Sequence, residues 1–193
     1  MSKVLEKLKR QNFRKILVLL YNLIRITIIK IFNMKRFKSG IIQNIHPTTE
    51  ISIKKGNLEL GSSIFTRRHV TFRAEYGNLK IGTSFFNQGC NITAMKNIVI
   101  GDECLFGPNV IIVDHDHDYS YLDNKRGNNY LMDDIIIGNN VWIGANTIIL
   151  RGSIIEDGAV IGAGSVIKGF VGKNTVVCSK NNVVTKSIKS RND

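Results

Sequence analysis

The chain predicts a mainly β fold, a triangular prism of stacked coils preceded by an amphipathic helical region, and three observations carry that reading. Aliphatic residues recur at every sixth position over a long C-terminal run, at Ile137, Ile143, Ile149, Ile155, Ile161 and Ile167. A short unit recurs upstream as Asn57-Leu-Glu-Leu-Gly61, Asn78-Leu-Lys-Ile-Gly82 and Asn97-Ile-Val-Ile-Gly101, then again as Asp134-Ile-Ile-Ile-Gly138. Positive charge collects at one end: eleven Lys and Arg lie in residues 1–40 against the single acid Glu6.

Residues 3–31 place apolar groups at Leu5, Leu8, Phe13, Leu17, Leu20, Ile24 and Ile31 and basic or polar groups at Lys3, Lys7, Arg10, Arg14, Tyr21 and Arg25. That spacing gives two faces of one helix, or of two in series. The stretch Ile16 to Phe32 is interrupted by Asn22, Arg25 and Lys30, and no small-residue cleavage site follows it, so it reads as neither a membrane span nor a signal peptide. Two roles stand side by side. The region caps the open end of the prism, which otherwise invites end-to-end stacking, or it makes a peripheral contact with anionic lipid through residues 1–40.

A period of six belongs neither to a helix, at 3.6, nor to a plain strand, at 2. It suits three short strands per coil of about 18 residues, one inward aliphatic per face, each coil stacked on the last at about 4.8 Å. Small or β-branched residues (Val141, Thr147, Ser153, Ala159, Ser165) fall four places after the aliphatics, and Gly138, Gly144 and Gly162 directly follow three of them. The last aliphatics of the upstream units, Leu60, Ile81, Ile100 and Ile137, are 21, 19 and 37 residues apart. The first two intervals are single coils with small bulges; the third is one coil plus an insertion. That insertion, residues 114–132, opens Asp-His-Asp-His-Asp and is polar and turn-rich. A long loop on a regular scaffold is a natural place for chemistry. The predicted organisation is therefore a basic helical region at 1–45, a β-helix at 46–186 with a protruding loop at 114–132, and a tail at 187–193.

The charge of +12 would point to nucleic acid if it were spread evenly, but beyond residue 40 acids and bases nearly balance, and no nucleic-acid partner is expected. Cys90, Cys104 and Cys178 are odd in number and lack C-x-x-C spacing, which indicates neither a disulfide framework nor a cysteine zinc site and fits a reducing cytoplasm.

Between about Ile51 and Lys186 the sequence resembles the hexapeptide-repeat acetyltransferases, especially the galactoside, maltose, nodulation-factor and capsule or O-antigen O-acetyltransferases. The resemblance rests on Ile137-Gly-Asn-Asn-Val-Trp-Ile-Gly144, Ile161-Gly-Ala-Gly-Ser165 and the His-bearing loop, which occur in the family's order. It implies a left-handed parallel β-helix, an exception to the usual right-handed crossover, and a homotrimer with its sites between neighbouring prisms. It also implies an acetyl-CoA donor, a sugar or polysaccharide acceptor and no metal.

The resemblance further assigns His115, at the base of the loop, as catalytic residue. An imidazole accepts a hydroxyl proton near neutral pH far better than a carboxylate does. The deprotonating alcohol then attacks the thioester directly, with a backbone N–H stabilising the oxyanion. Asp114, Asp116 or a backbone carbonyl would orient the ring. Trp142 is expected beside this histidine, where it lines the groove and the trimer contact. The groove along Gly144, Ala145, Ala163 and Lys168 resembles the channel for the pantetheine arm, with Lys168 or Lys186 toward the nucleotide phosphates. His117, Trp142 and Asn87 are candidates for the acceptor, although Asn87 reads more readily as the cap of a corner; His46 and His69 read as structural. After Ser165 the chain departs from the family's usual Thr-Lys-Asp and proline pattern, and the adenine end of the channel carries over least well. A membrane-proximal, cytoplasmic enzyme acting on capsule or lipopolysaccharide precursors follows by association.

Three alternatives stay open. An amino-sugar acceptor would make the protein an N-acetyltransferase. A carbonic-anhydrase-like β-helix would need three zinc ligands, whereas His115 and His117 are two residues apart with no third histidine one coil away. A solenoid that keeps only the fold would bind no CoA.

Overall fold

The computed structural model describes residues 3–40, 42–118 and 129–178. The tip of the inserted loop, the end of the predicted β-helix at 179–186 with Lys186, and the tail at 187–193 lie outside the described residues. Three parallel sheets wrap around one axis as the faces of a left-handed β-helix. The first face stacks Phe37–Ser39, Asn57–Leu60, Asn78–Ile81, Asn97–Ile100, Ile135–Ile137, Ile154–Ile155 and Phe170–Val171. The second stacks Phe65–Thr66, Phe85–Phe86, Leu105–Phe106, Trp142–Ile143, Val160–Ile161 and Val176–Val177. The third stacks Glu50–Ile53, Thr71–Ala74, Asn91–Ala94, Ile111–Val113, Ile148–Leu150 and Val166–Ile167.

All six aliphatics of the C-terminal repeat are buried, as are the five small residues four places on, so both positions of each unit point into the prism. Buried hydroxyls are satisfied by the coil walls: Thr147 donates to the Gly162 carbonyl, and Ser153 to those of Leu150 and Ile167. In the N-terminal half, where the units are longer, aromatic rings fill the axis; Phe86 and Phe106 stack at 4.4 Å and Phe72 meets Phe86 edge-on at 5.0 Å. The insertion leaves the ladder undisturbed, since Ile100 pairs with Ile81 on one side and Ile137 on the other. Its described base is a two-stranded antiparallel hairpin of His115–His117 and Tyr130–Met132.

A single α-helix, Lys3–Phe32, precedes the prism, free of the Gly and Pro that would break it. It lies over the open end of the coils. Buried Asn22 donates to the carbonyls of Gln43 and Ile45, Arg25 donates to that of Thr49, and Ile26 is buried below them. These carbonyls belong to the first coil, whose polar backbone has no coil above it. The prism itself begins earlier than residue 46: Phe37–Ser39 already pairs with Asn57–Leu60, and Asn44 bridges to Phe65. Phe37 takes the inward position that Leu58 repeats on the next coil, and burying that ring is what draws the segment into the sheet.

Candidate active site

Two edges of the prism hold the expected site residues. Where the third face turns into the first, His115 follows Ile111–Val113 with only Asp114 between. Asp114 is fully buried and its carboxylate accepts three successive backbone N–H groups, those of Met95 (2.8 Å), Lys96 (2.7 Å) and Asn97 (2.8 Å), from the corner of the preceding coil. Such a nest of amides fixes a carboxylate through charge-assisted bonds. The same carboxylate lies 3.2 Å from His115 Nδ1. Of the groups able to orient the ring, Asp114 is the one in place; Asp116 is taken by Arg151, whose Nε donates to it at 2.7 Å from the next coil's corner. Tyr130 reaches over from the opposite hairpin strand, its ring 5.7 Å from that of His115 and 4.7 Å from that of His117. His115 is largely covered and His117 exposed.

Lys96 closes the outer side of this edge through Asp134 (3.0 Å) and Asp133 (3.4 Å). The hydrogen bond to Asp134 raises its pKa from the ordinary lysine value.

Where the second face turns into the third, a groove of about 440 Å³ is lined by Gly107, Pro108, Trp142, Gly144, Ala145, Val160, Ile161, Gly162 and Ala163. Gly144 is required by space: a Cβ there would come within 2.5 Å of the Ala163 backbone nitrogen one coil away. With only glycine, alanine and a proline at these corners, the coil edges stay open to a slender ligand along backbone amides. Trp142 stands at one wall, more than half exposed, in register with Leu105 and Val160.

The two edges belong to different corners of the same prism. Gly144, Ala145, Ala163 and Trp142 come together in the groove, while His115 and His117 do not join them. Lys168 also sits on the histidine edge, exposed between Val166–Ile167 and Phe170–Val171, and not in the groove where the sequence reading put it. The last coil is shorter, with Ile155 opposite Val171 and Ile161 opposite Val177, and its third-to-first corner carries Lys168. Asn87 lies on the groove edge two coils before Gly144, its side-chain oxygen accepting the Gln88 N–H at 2.9 Å as a corner cap. His69 occupies a left-handed corner with φ 57°, and His46 accepts from the Thr48 N–H, so both serve local turns.

Three residues near these edges escape a sequence reading. Arg151 carries no motif. Tyr130 meets the histidines only through an antiparallel register. Cys178, exposed, falls beside Gly162 at the groove because the short last coil breaks the six-residue count. Among the described residues no group of three His, Cys, Asp or Glu is arranged to hold a metal.

Residues 134–169 match the family described as bacterial transferase hexapeptide (six repeats). The galactoside O-acetyltransferase of Escherichia coli (strain K12) is 34% identical over 144 residues, 74% of this chain and 70% of that protein. Two solved structures share the fold at a TM-score of 0.50. One is a hexapeptide-repeat-containing acetyltransferase from Vibrio cholerae, 22% identical, with 80% of this chain and 73% of that one covered. The other is a variant of an N-acyltransferase from Bacillus cereus in complex with dTDP and coenzyme A, 15% identical, with 81% and 84% covered. Given a repeat that fills the axis at every sixth residue, and a relative similar across most of its length, the chain belongs to the hexapeptide-repeat acetyltransferase family.

Proposed function

We propose that this enzyme moves the acetyl group of acetyl-CoA to a hydroxyl on a sugar of a surface polysaccharide, such as a capsule or lipopolysaccharide precursor, with His115 as general base. The observation that carries the reading is the buried Asp114 carboxylate, locked by three amides and 3.2 Å from Nδ1 of His115. A carboxylate so placed favours the tautomer with the proton on Nδ1, which leaves Nε2 to accept. The acceptor O–H gives its proton to Nε2 while its oxygen attacks the thioester carbonyl. The tetrahedral intermediate collapses with loss of the CoA thiolate, which takes the proton back from the imidazolium. No protein nucleophile is consumed. The groove of Trp142, Gly144, Ala145 and Ala163 supports binding of the pantetheine arm, and the exposed His117 and the corner Asn87 are the acceptor-side residues in this reading.

The separation of histidine edge from groove edge supports a shared site: one prism supplies His115 and Lys168, and the groove edge of its neighbour in a homotrimer supplies the donor channel. Lys168 would then meet the CoA phosphates from across the interface. A cytoplasmic enzyme suits the three free cysteines, and an acceptor held near a membrane suits the basic N-terminal region.

The test is thiol release from acetyl-CoA by the wild type and His115→Ala over a panel of sugars, amino sugars and isolated polysaccharides. Acceptor-dependent release that falls about 100-fold or more in the variant is expected. Equal turnover by the variant removes His115 from the mechanism, and turnover confined to amino sugars replaces the hydroxyl with an amine.

A further inference from the structure

The N-terminal helix has two apolar faces, and the prism covers only one. Asn22, Ile26 and Ile29 turn toward the first coil, where Asn22 and Ile26 are buried and Ile29 is packed against the core. On the opposite side Phe13, Leu17, Leu20, Ile24 and Ile31 recur at three- and four-residue steps and project outward, with Phe13 60% and Ile24 and Ile31 62% exposed. Ile16, Leu23 and Ile28 widen this face, and Phe32 and Met34 extend it past the helix end, each 82% exposed. A continuous row of large aliphatic and aromatic groups of this length marks a surface meant to be covered.

Charge decides what covers it. The first forty residues carry eleven bases and one acid. Arg25 and Lys30 are drawn down to backbone carbonyls of the prism, Lys30 to that of Ser39 at 2.8 Å. Six others, Lys3, Lys7, Lys9, Arg10, Arg14 and Lys15, lie along the first half of the helix. At its other end Lys35, Arg36 and Lys38 line a cleft of about 430 Å³ together with Lys80, and Glu59 is the one acid there. A second copy of this helix would set like charges against one another along the seam. No described helix is long and apolar enough to cross a bilayer. An apolar row flanked by cations at both ends fits an anionic lipid surface, with the row in the acyl boundary and the lysines and arginines among the headgroups.

We propose that the outward face of this helix, centred on Leu20 and Ile24, seats the protein on anionic membranes with the prism projecting from the surface by its capped end. The helix thus serves two partners at once, the first coil on one side and lipid on the other. This goes beyond the acetyl-transfer reading and does not depend on it.

Flotation of the full-length protein with vesicles of phosphatidylcholine, with and without phosphatidylglycerol, tests the proposal. Binding is expected to the anionic vesicles, to weaken with added salt, and to fall about tenfold or more in Leu20→Glu/Ile24→Glu. Both side chains are more than half exposed, so that variant should keep its melting temperature and assembly mass. A second variant, Lys35→Glu/Lys38→Glu, leaves the row intact and should lose the anionic preference. Failure to bind either vesicle overturns the proposal, as does equal binding with and without phosphatidylglycerol. A drop in assembly mass in the Leu20/Ile24 variant also overturns it, because the row would then join copies of the chain.

Discussion

Asp114 does two jobs at one point. It ties the 95–97 corner of one coil to the loop base of the next, and it holds the ring of His115. Replacing it by Ala leaves three amides without their acceptor, at about 1–3 kcal/mol for each that stays buried. Asp114→Ala should therefore lower both the melting temperature and turnover, whereas His115→Ala should lower turnover alone; thermal melts beside the thiol-release assay separate the two. The cysteines make a second residue-level probe. Burial pushes the Cys90 thiol up to about 11, and burial likewise raises that of Cys104, so both stay protonated and unreactive in the folded protein. Cys178 is exposed beside Gly162 at the groove. Mass spectrometry after mild alkylation at neutral pH should find Cys178 modified first, and CoA should slow that labelling if the groove takes the pantetheine arm.

At the scale of the element, the prism's corners carry more information than its strands. The inner aliphatics repeat one kind of side chain, whereas the second-to-third corners turn through a left-handed residue, as at Asn109, Asn146 and Gly164. Gly144→Ala should destabilise the fold, because the new methyl would press on backbone that cannot move without shifting a coil. The first turn of the prism titrates too. Desolvation lowers the pKa of His46 from its ordinary value, followed by the charges of Arg68 and His69. A base whose folded pKa is depressed binds fewer protons than in the unfolded chain. Stability is thus intact above about 6.5 and declines as pH falls through that value. His46→Gln should remove a small part of the acid sensitivity seen in melts between neutral pH and pH 5.

For the whole molecule, the separation of the histidine edge from the groove edge makes a prediction that no single-chain defect reproduces. If each site joins the histidine edge of one prism to the groove edge of the next, His115→Ala and a groove-blocking Ala145→Trp should each be inactive alone. Co-assembly of the two should restore measurable turnover, since some interfaces then hold one intact edge of each kind. Absence of recovery, with mixed assemblies demonstrated by mass, would place the whole site within one chain.

The sequence by itself determined the architecture. A side chain buried at every sixth position, as at Ile137 through Ile167, is compatible with one stacking of three strands per coil, and the interval from Ile100 to Ile137 betrays the inserted loop. The amphipathic character of residues 3–31 was legible for the same reason, since burial imposes a period on the chain. What only the tertiary structure decided involves groups brought together by stacking, which leaves no period. Asp114 was chosen over Asp116 because amides of a different coil surround it. Lys168 stands on the histidine edge because it directly follows Ile167 on the third face, and Cys178 arrived beside the groove because the last coil is shorter. The start of the prism shifted to Phe37 because one ring found the inward position of the coil above Leu58. Periodic burial can be read along a line, but which corner faces which is fixed only when the coils close.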